Sequence, residues 1–254
     1  MIAIIKYNAG NITSVENALN RLGYEAVITD DENTIRNASK VIFPGVGEAS
    51  TAMKYLREKK LDVLLKSLTQ PVLGICLGLQ LMCKYSEEND TECLGIFDAT
   101  CKLFPPTEIV PHMGWNNIEC NENELLKGVI SDSNFYFVHS YYASICESTI
   151  ATCDYINPFS AVMQKNNFYA TQFHPEKSAE DGERILKNFL SPTLEPTAPS
   201  NSPKGESYRS EVTSSPTLLQ MEKGDSKTDA NGLTLVPSPK EREDSRTDAK
   251  TETR

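Results

Sequence analysis

The chain has 254 residues, 39% hydrophobic and 24% charged, with 35 acidic against 25 basic residues and a formal net charge of -10. That is apolar material for one sizeable core or at most two small ones, and the acidic balance excludes a protein that grips nucleic acid or an anionic membrane through a broad basic face. No apolar run approaches the ~20 residues of a bilayer-spanning helix, and the opening MIAII, stopped by Lys6, is too short for a signal peptide, so a soluble, cytoplasmic protein is expected.

In chain order, the apolar run at 2–5 predicts a strand, and a helix follows over 14–22, closed by Gly23. Strands are predicted at 26–28 and 40–43. Apolar residues at helical spacing (Met53, Leu56, Leu61, Leu64, Leu65, Leu68) predict one helix over 52–68, and PVLGI at 71–75 a buried strand. The middle is strand-rich, with candidates at 100–103, 117–120, 134–138, 143–146, 161–164 and 169–173, before a closing helix over 179–190. This alternation implies an α/β fold, a single domain with a mixed, largely parallel central sheet flanked by helices.

Composition changes at Pro192. Residues 192–254 hold seven of the 14 prolines, one aromatic (Tyr208), and no Cys, His, Trp or Phe. Such a segment buries too little apolar surface to offset its ordering entropy, so the expected organisation is a domain at 1–191 and a disordered low-complexity tail at 192–254. Within it DSKTDA (225–230) recurs as DSRTDA (244–249). The tail reads as a solvated extension or as a partner-binding segment, the former being the simpler. The seven cysteines, at 76, 83, 93, 101, 120, 146 and 153, contain no CxxC pair. No zinc ribbon, other metal site, cofactor or disulfide framework is expected, and most of the thiols read as small buried hydrophobes.

Chemistry concentrates in VLGICLGLQLM (72–82), where a buried strand runs into Cys76 and then into an apolar helix, with Gly74 and Gly78 two residues to either side. This is the layout of a nucleophile elbow: the tight strand-to-helix turn strains the nucleophile's backbone, and the glycines remove side chains that would collide. A thiol at a helix N-terminus also gains thiolate character from the macrodipole. Taken alone, the pattern reads equally as a buried core cysteine beside a turn. Of three histidines, only His174 has a carboxylate two residues on, Glu176 in QFHPEKS, with Pro175 fixing the chain as it leaves the strand. His112 and His139 read as hydrogen-bonded structural histidines. Cys76, His174 and Glu176 form a candidate triad of nucleophile, base and orienting group. Acyl transfer needs donors for a developing oxyanion; the Leu77 amide and the glycine-rich PGVG (44–47) are candidates, although PGVG reads equally as a turn.

GICLGLQ, FPGVG and QFHPEKS, in the order FPGVG, GICLGLQ, QFHPEKS along the chain, resemble the triad-type glutamine amidotransferase family. PHMGWN (111–116), FYFVHSYY (135–142) and YNAGN (7–11) resemble, within it, the glutaminase subunits of imidazole glycerol phosphate synthase. The resemblance covers roughly residues 1–190. It implies hydrolysis of glutamine to glutamate and ammonia, with the ammonia passed to a (β/α)8-barrel cyclase subunit in a heterodimer of histidine biosynthesis, and with neither nucleic acid nor membrane as partner. Carried onto this chain, it makes Cys76 the nucleophile, His174 the base and then acid, and Glu176 the orienter. Val46, Gly47 and Leu77 fall at the oxyanion hole, Gln80, Glu88, Ser140 and Tyr141 at the substrate site, and Trp115, Asn116 and Lys177 on the side facing the cyclase. The chain departs from many members at Lys6 and Asn8, where an Asp and a Gly are common, and in its tail. A glutaminase of the same fold serving another acceptor, such as a sugar-modifying synthetase, is the nearer alternative; a non-enzymatic scaffold is the more distant one.

Overall fold

The structure is a computed structural model and describes residues 1–7 and 12–194. The described residues pack as one unit. The tail beyond 194 and most of the YNAGN run, Asn8 included, lie outside the described residues.

Numbered in chain order, the first half contains β1 (Ile2–Ile5), α1 (Ile12–Arg21), β2 (Ala26–Thr29), α2 (Glu32–Arg36), β3 (Lys40–Gly45), α3 (Ala49–Glu58), α4 (Leu61–Lys66), β4 (Val72–Cys76) and α5 (Leu77–Met82). There follow β5 (Tyr85–Ser86), β6 (Thr91–Glu92), β7 (Thr100–Leu103), β8 (His112–Asn117), β9 (Glu119–Cys120), β10 (Asn134–His139) and β11 (Tyr141–Ala143). The chain closes with β12 (Thr149–Tyr155), β13 (Asn157–Lys165), β14 (Phe168–Thr171), a 3-10 turn at Pro175–Lys177 and α6 (Ala179–Leu190).

The central sheet has the order β2-β1-β3-β4-β14-β13-β12-β9. Its first five strands are parallel and the rest antiparallel, which is the mixed, largely parallel sheet expected. Period-2 alternation divides its side chains between two cores. Ala3, Ile5, Val41, Phe43 and Val72 pack with Met53 and Leu56 of α3 and Leu64 and Leu65 of α4. Ile2, Ile4, Ile42, Leu73 and Ile75 pack on the other face with Val15 and Leu19 of α1 and Ile185, Leu186 and Phe189 of α6. Helices on both faces explain why β1 and β4 are continuous buried apolar runs. Two smaller sheets, β10-β8 and β11-β7-β5-β6, lie outside it. Among the described residues no helix is long and apolar enough to cross a membrane.

Three expectations need correction. The helix read over 52–68 is two helices, separated at Lys60, whose φ is 57°. On one straight helix the buried residues of α4 would point roughly 120° away from those of α3, and the break brings both sets onto one core. The strand expected at 117–120 is two strands, the longer one starting at His112, while β12, α2 and the short β5 and β6 were not anticipated. The strand expected at 143–146 is displaced to Tyr141–Ala143. At the C-terminal end, Lys40 Nζ donates to the carbonyls of Phe189, Ser191 and Leu194 at 2.7, 2.8 and 3.4 Å. The buried Leu194 thus belongs to this unit, three residues past the expected boundary.

Candidate active site

Adjacent parallel strands bring the chemistry together. β4 ends on Cys76; its neighbour β3 aligns Gly45 with Cys76 and runs on into Val46 and Gly47; its other neighbour β14 aligns Thr171 with Ile75 and leads within three residues to His174. All three deliver their residues at strand C-terminal ends, the end at which open α/β sheets bind ligands.

Cys76 carries the strain expected of an elbow, with φ 54° and ψ −107°, a region that costs about 1–3 kcal/mol for a residue with a side chain. The flanking glycines are needed sterically. A Cβ on Gly78 would collide with the carbonyl oxygen of Phe43, and one on Gly74 would sit 3.0 Å from the Gly78 backbone and from Met82 Sδ. The sulfur lies 3.9 Å from the Val138 carbonyl and 3.7 Å from Gln172 Nε2.

His174 Nδ1 lies 2.8 Å from Glu176 Oε1, both side chains being buried. The carboxylate oxygen can only accept, so Nδ1 carries a proton and Nε2 is the ring nitrogen left for the sulfur. Burial works against a charged His174, but the charge and hydrogen bond of Cys76 and the hydrogen bond and charge of Glu176 outweigh it and hold the pKa up to about 10. The backbone around His174 is clamped to β10: its N–H donates to the Tyr136 carbonyl at 2.9 Å, while the Ser178 hydroxyl donates to the His174 carbonyl at 2.7 Å and accepts from Tyr136 N at 2.9 Å.

A cavity of about 380 Å³, within the range of small-ligand sites, opens over the sulfur and is lined by Val46, Gly47, Cys76, Leu77, Gln80, Glu88, Pro111, Val138, His139, Ser140 and Tyr141. Every residue expected at the nucleophile, oxyanion and substrate positions is in that lining, though they come from four separate stretches of chain. Gly47 has φ 110°, a conformation that favours glycine. Glu88 is half-buried; desolvation raises its pKa, and one carboxylate oxygen accepts from Ala49 N at 2.7 Å, which holds it at the start of α3. A larger cavity, about 670 Å³, lies along residues 120–129 and contains none of the triad.

The remaining expected residues divide. Trp115 is 55% exposed on β8 beside Met113 at 67%, edge-on to Tyr136 at 6.0 Å, and Lys177 Nζ lies 6.0 Å from the Tyr136 ring centroid. Trp115, Tyr136 and Lys177 thus share one surface next to the cavity. Asn116 is on the opposite face of β8, donating to the Asp154 carbonyl at 3.1 Å and contacting His112 Nε2 at 3.5 Å.

The other two histidines have defined tautomers. His139 Nδ1 faces the Tyr141 carbonyl at 2.8 Å and must donate, so its Nε2 accepts from His112 Nδ1 at 3.2 Å. Burial lowers their pKa values to about 3 for His139 and about 4 for His112, so both are neutral near pH 7. Sequence reasoning missed Gln172, Val138 and Ser178. Only Gln172 left a signal, as an amide inside the strand end YATQF. Among the described residues no group of three or more His, Cys, Asp and Glu side chains is placed to hold a metal ion.

Residues 3–192 match the class-I glutamine amidotransferase family. The chain is 62% identical over 192 residues to imidazole glycerol phosphate synthase subunit HisH of Bacteroides fragilis (strain YCH46), covering 74% of this chain and 98% of that one. It is 57% identical over 192 residues to the same subunit of Bacteroides thetaiotaomicron, with the same coverage. Among solved structures, a chain of PurLQS from Thermotoga maritima superposes with a TM-score of 0.57 at 14% identity, over 74% of this chain and 96% of that one, a likeness of fold.

Proposed function

The chain belongs to the class-I glutamine amidotransferase family, and from that membership we propose how its site works. It is the glutaminase subunit of imidazole glycerol phosphate synthase, hydrolysing glutamine for histidine biosynthesis. Cys76 Sγ gives its proton to His174 Nε2 and attacks the side-chain amide carbon of glutamine. The carbonyl electrons move onto oxygen, where the amides of Leu77 and of the Val46–Gly47 loop receive them. The oxyanion collapses, the C–N bond breaks, and the departing nitrogen takes the proton from His174, leaving ammonia and a glutamyl thioester. His174 then takes a proton from water, whose oxygen attacks the thioester; the C–S bond breaks and glutamate leaves. Glu176 keeps the imidazole in the tautomer both steps need.

In this proposal Glu88 faces the substrate ammonium, Ser140 and Tyr141 lie beside its carboxylate, and Gln80 closes the pocket. Desolvation of Glu88 favours an ammonium partner there. The ammonia acceptor is a (β/α)8-barrel cyclase subunit, docked on the side that carries Trp115 and Lys177; the exposed apolar strip of Met113 and Trp115 supports this, while Asn116, expected on the same side, is turned to the other face of β8 and holds the Asp154 carbonyl instead. The catalytic domain, expected to end at residue 191, extends to Leu194, and the tail beyond it takes no part in catalysis. A reducing, cytoplasmic setting belongs to the same reading, supported by seven cysteines that are all free thiols.

The observation that carries the proposal is the delivery of Cys76, the PGVG loop and His174 by the ends of three neighbouring strands. Its test is Cys76→Ser in the reconstituted complex. Glutamine-dependent product formation should be lost and ammonium-dependent formation kept, because the acceptor chemistry belongs to the partner. Full glutaminase turnover in the variant would remove Cys76 from the mechanism.

A further inference from the structure

The amide of Gln172 is fully buried one residue beyond β14, and its orientation is dictated by its neighbours. The Tyr141 carbonyl can only accept, so the group 2.9 Å from it is Nε2 of Gln80. That nitrogen also lies 3.2 Å from the Gln172 amide, which must therefore present its oxygen. With Oε1 accepting from Gln80, Nε2 of Gln172 is turned to Cys76 Sγ at 3.7 Å. A flipped Gln172 would set two NH2 groups against each other.

We propose that Gln172 is a hydrogen-bond donor to the nucleophile, favouring and aiming the Cys76 thiolate, with Gln80 and the Tyr141 carbonyl fixing the donor's direction. The inference rests on the reading of Cys76 as the glutaminase nucleophile. An N–H donor binds a thiolate by a charge-assisted bond but a neutral thiol only weakly, so the contact favours the charged form. The Val138 carbonyl, 3.9 Å from the same sulfur, is an acceptor and favours the thiol. Gln172 supplies the opposing preference from the buried side of the sulfur. When Cys76 ionises, its proton goes to His174 and Gln172 keeps both of its own. In the thioester the sulfur has lost its charge and the bond weakens; when the C–S bond breaks, the thiolate forms again against the same donor. Gln172 is absent from the cavity lining, so its effect falls on the reacting sulfur rather than on substrate affinity.

The test compares wild type, Gln172→Glu and Gln172→Met, each as the full chain with its partner. Gln172→Glu keeps an oxygen for Gln80 and replaces only the donor, whereas Gln172→Met keeps the volume without donor or charge. The rate of iodoacetamide alkylation is followed against pH on the peptide bearing Cys76, because the other thiols also react. The midpoint for Cys76 should rise by about one pH unit in Gln172→Met and further in Gln172→Glu. The kcat for glutamate release should fall about tenfold or more, with KM changed less than about twofold. An unchanged midpoint in either folded variant overturns the proposal, as does a raised KM with unchanged midpoint, which would make Gln172 a support for Gln80 alone. If Gln172→Met does not fold, the Gln172→Glu midpoint decides. A wild-type protein without glutaminase turnover would sink the functional reading, and the alkylation midpoints would still decide the role of Gln172.

Discussion

Replacing Glu176 by Gln removes one charge and almost no volume, so it isolates what the carboxylate does. The bond to His174 Nδ1 is 2.8 Å long and buried, and it is charge-assisted whenever the imidazole is protonated. Such bonds contribute about 1.5–3 kcal/mol, which at tenfold per 1.4 kcal/mol is a loss of roughly 10- to 100-fold in kcat/KM. The loss is deeper if the introduced amide turns its NH2 toward Nδ1, because the ring proton then moves to Nε2 and the base has the wrong tautomer. The same change lowers the His174 pKa from about 10 by about one to two, so the alkaline limb of the pH profile for kcat should move toward neutrality. The assay is glutamate release by the full chain with its cyclase partner, wild type against Glu176→Gln, across pH. A variant within threefold of wild type and with an unmoved profile would refute the orienting role.

Other consequences concern stability and boundaries. His112 and His139 are held neutral in the fold, at about 4 and about 3, whereas the unfolded chain takes up both protons as pH falls past about 6.5. Their contribution is therefore fully present above about pH 6.5 and lost below it, at a rate approaching 2–3 kcal/mol per pH unit near pH 5; His174, raised to about 10, is protonated in both states there and adds no slope. Urea midpoints at several pH values should decline steeply for wild type and less so for a His112→Gln, His139→Gln double variant, and parallel slopes would contradict the assignment. Truncation after Leu194 should leave glutaminase activity and melting temperature unchanged. Truncation after Phe189 instead removes two carbonyl acceptors of Lys40 and the buried Leu194, and should lower the melting temperature by several degrees. Equal melting temperatures for the two truncations would show that the last residues do not brace the fold.

The triad was legible because each half of it is local. Gly74 and Gly78 around Cys76 announce a crowded turn, and His174 and Glu176 are two residues apart across a proline. The buried strands β1, β3 and β4 were legible as apolar runs. The α3–α4 break was hidden because Leu56 and Leu61 still read as one helical stripe unless their phase is compared. β8 was hidden for the opposite reason: its exposed side chains, Met113 and Trp115, are the apolar ones, while the buried His112 is polar. Val46 and Gly47 were legible only as part of a glycine-rich loop after a strand, whereas Gln80, Glu88, Ser140 and Tyr141 converge only in three dimensions, and resemblance to a family, rather than spacing, pointed to them. The orientation of Gln172 depends on a chain of acceptors that no linear pattern encodes.

The central claim is that glutamine hydrolysis passes through a thioester on Cys76. Isotope-labelled glutamine mixed with the full chain and its partner, quenched in acid during turnover and analysed by mass spectrometry, should show a labelled glutamyl group on the Cys76 peptide, absent in Cys76→Ser. Release of labelled glutamate with no adduct on Cys76, or with the label on another residue, would contradict it.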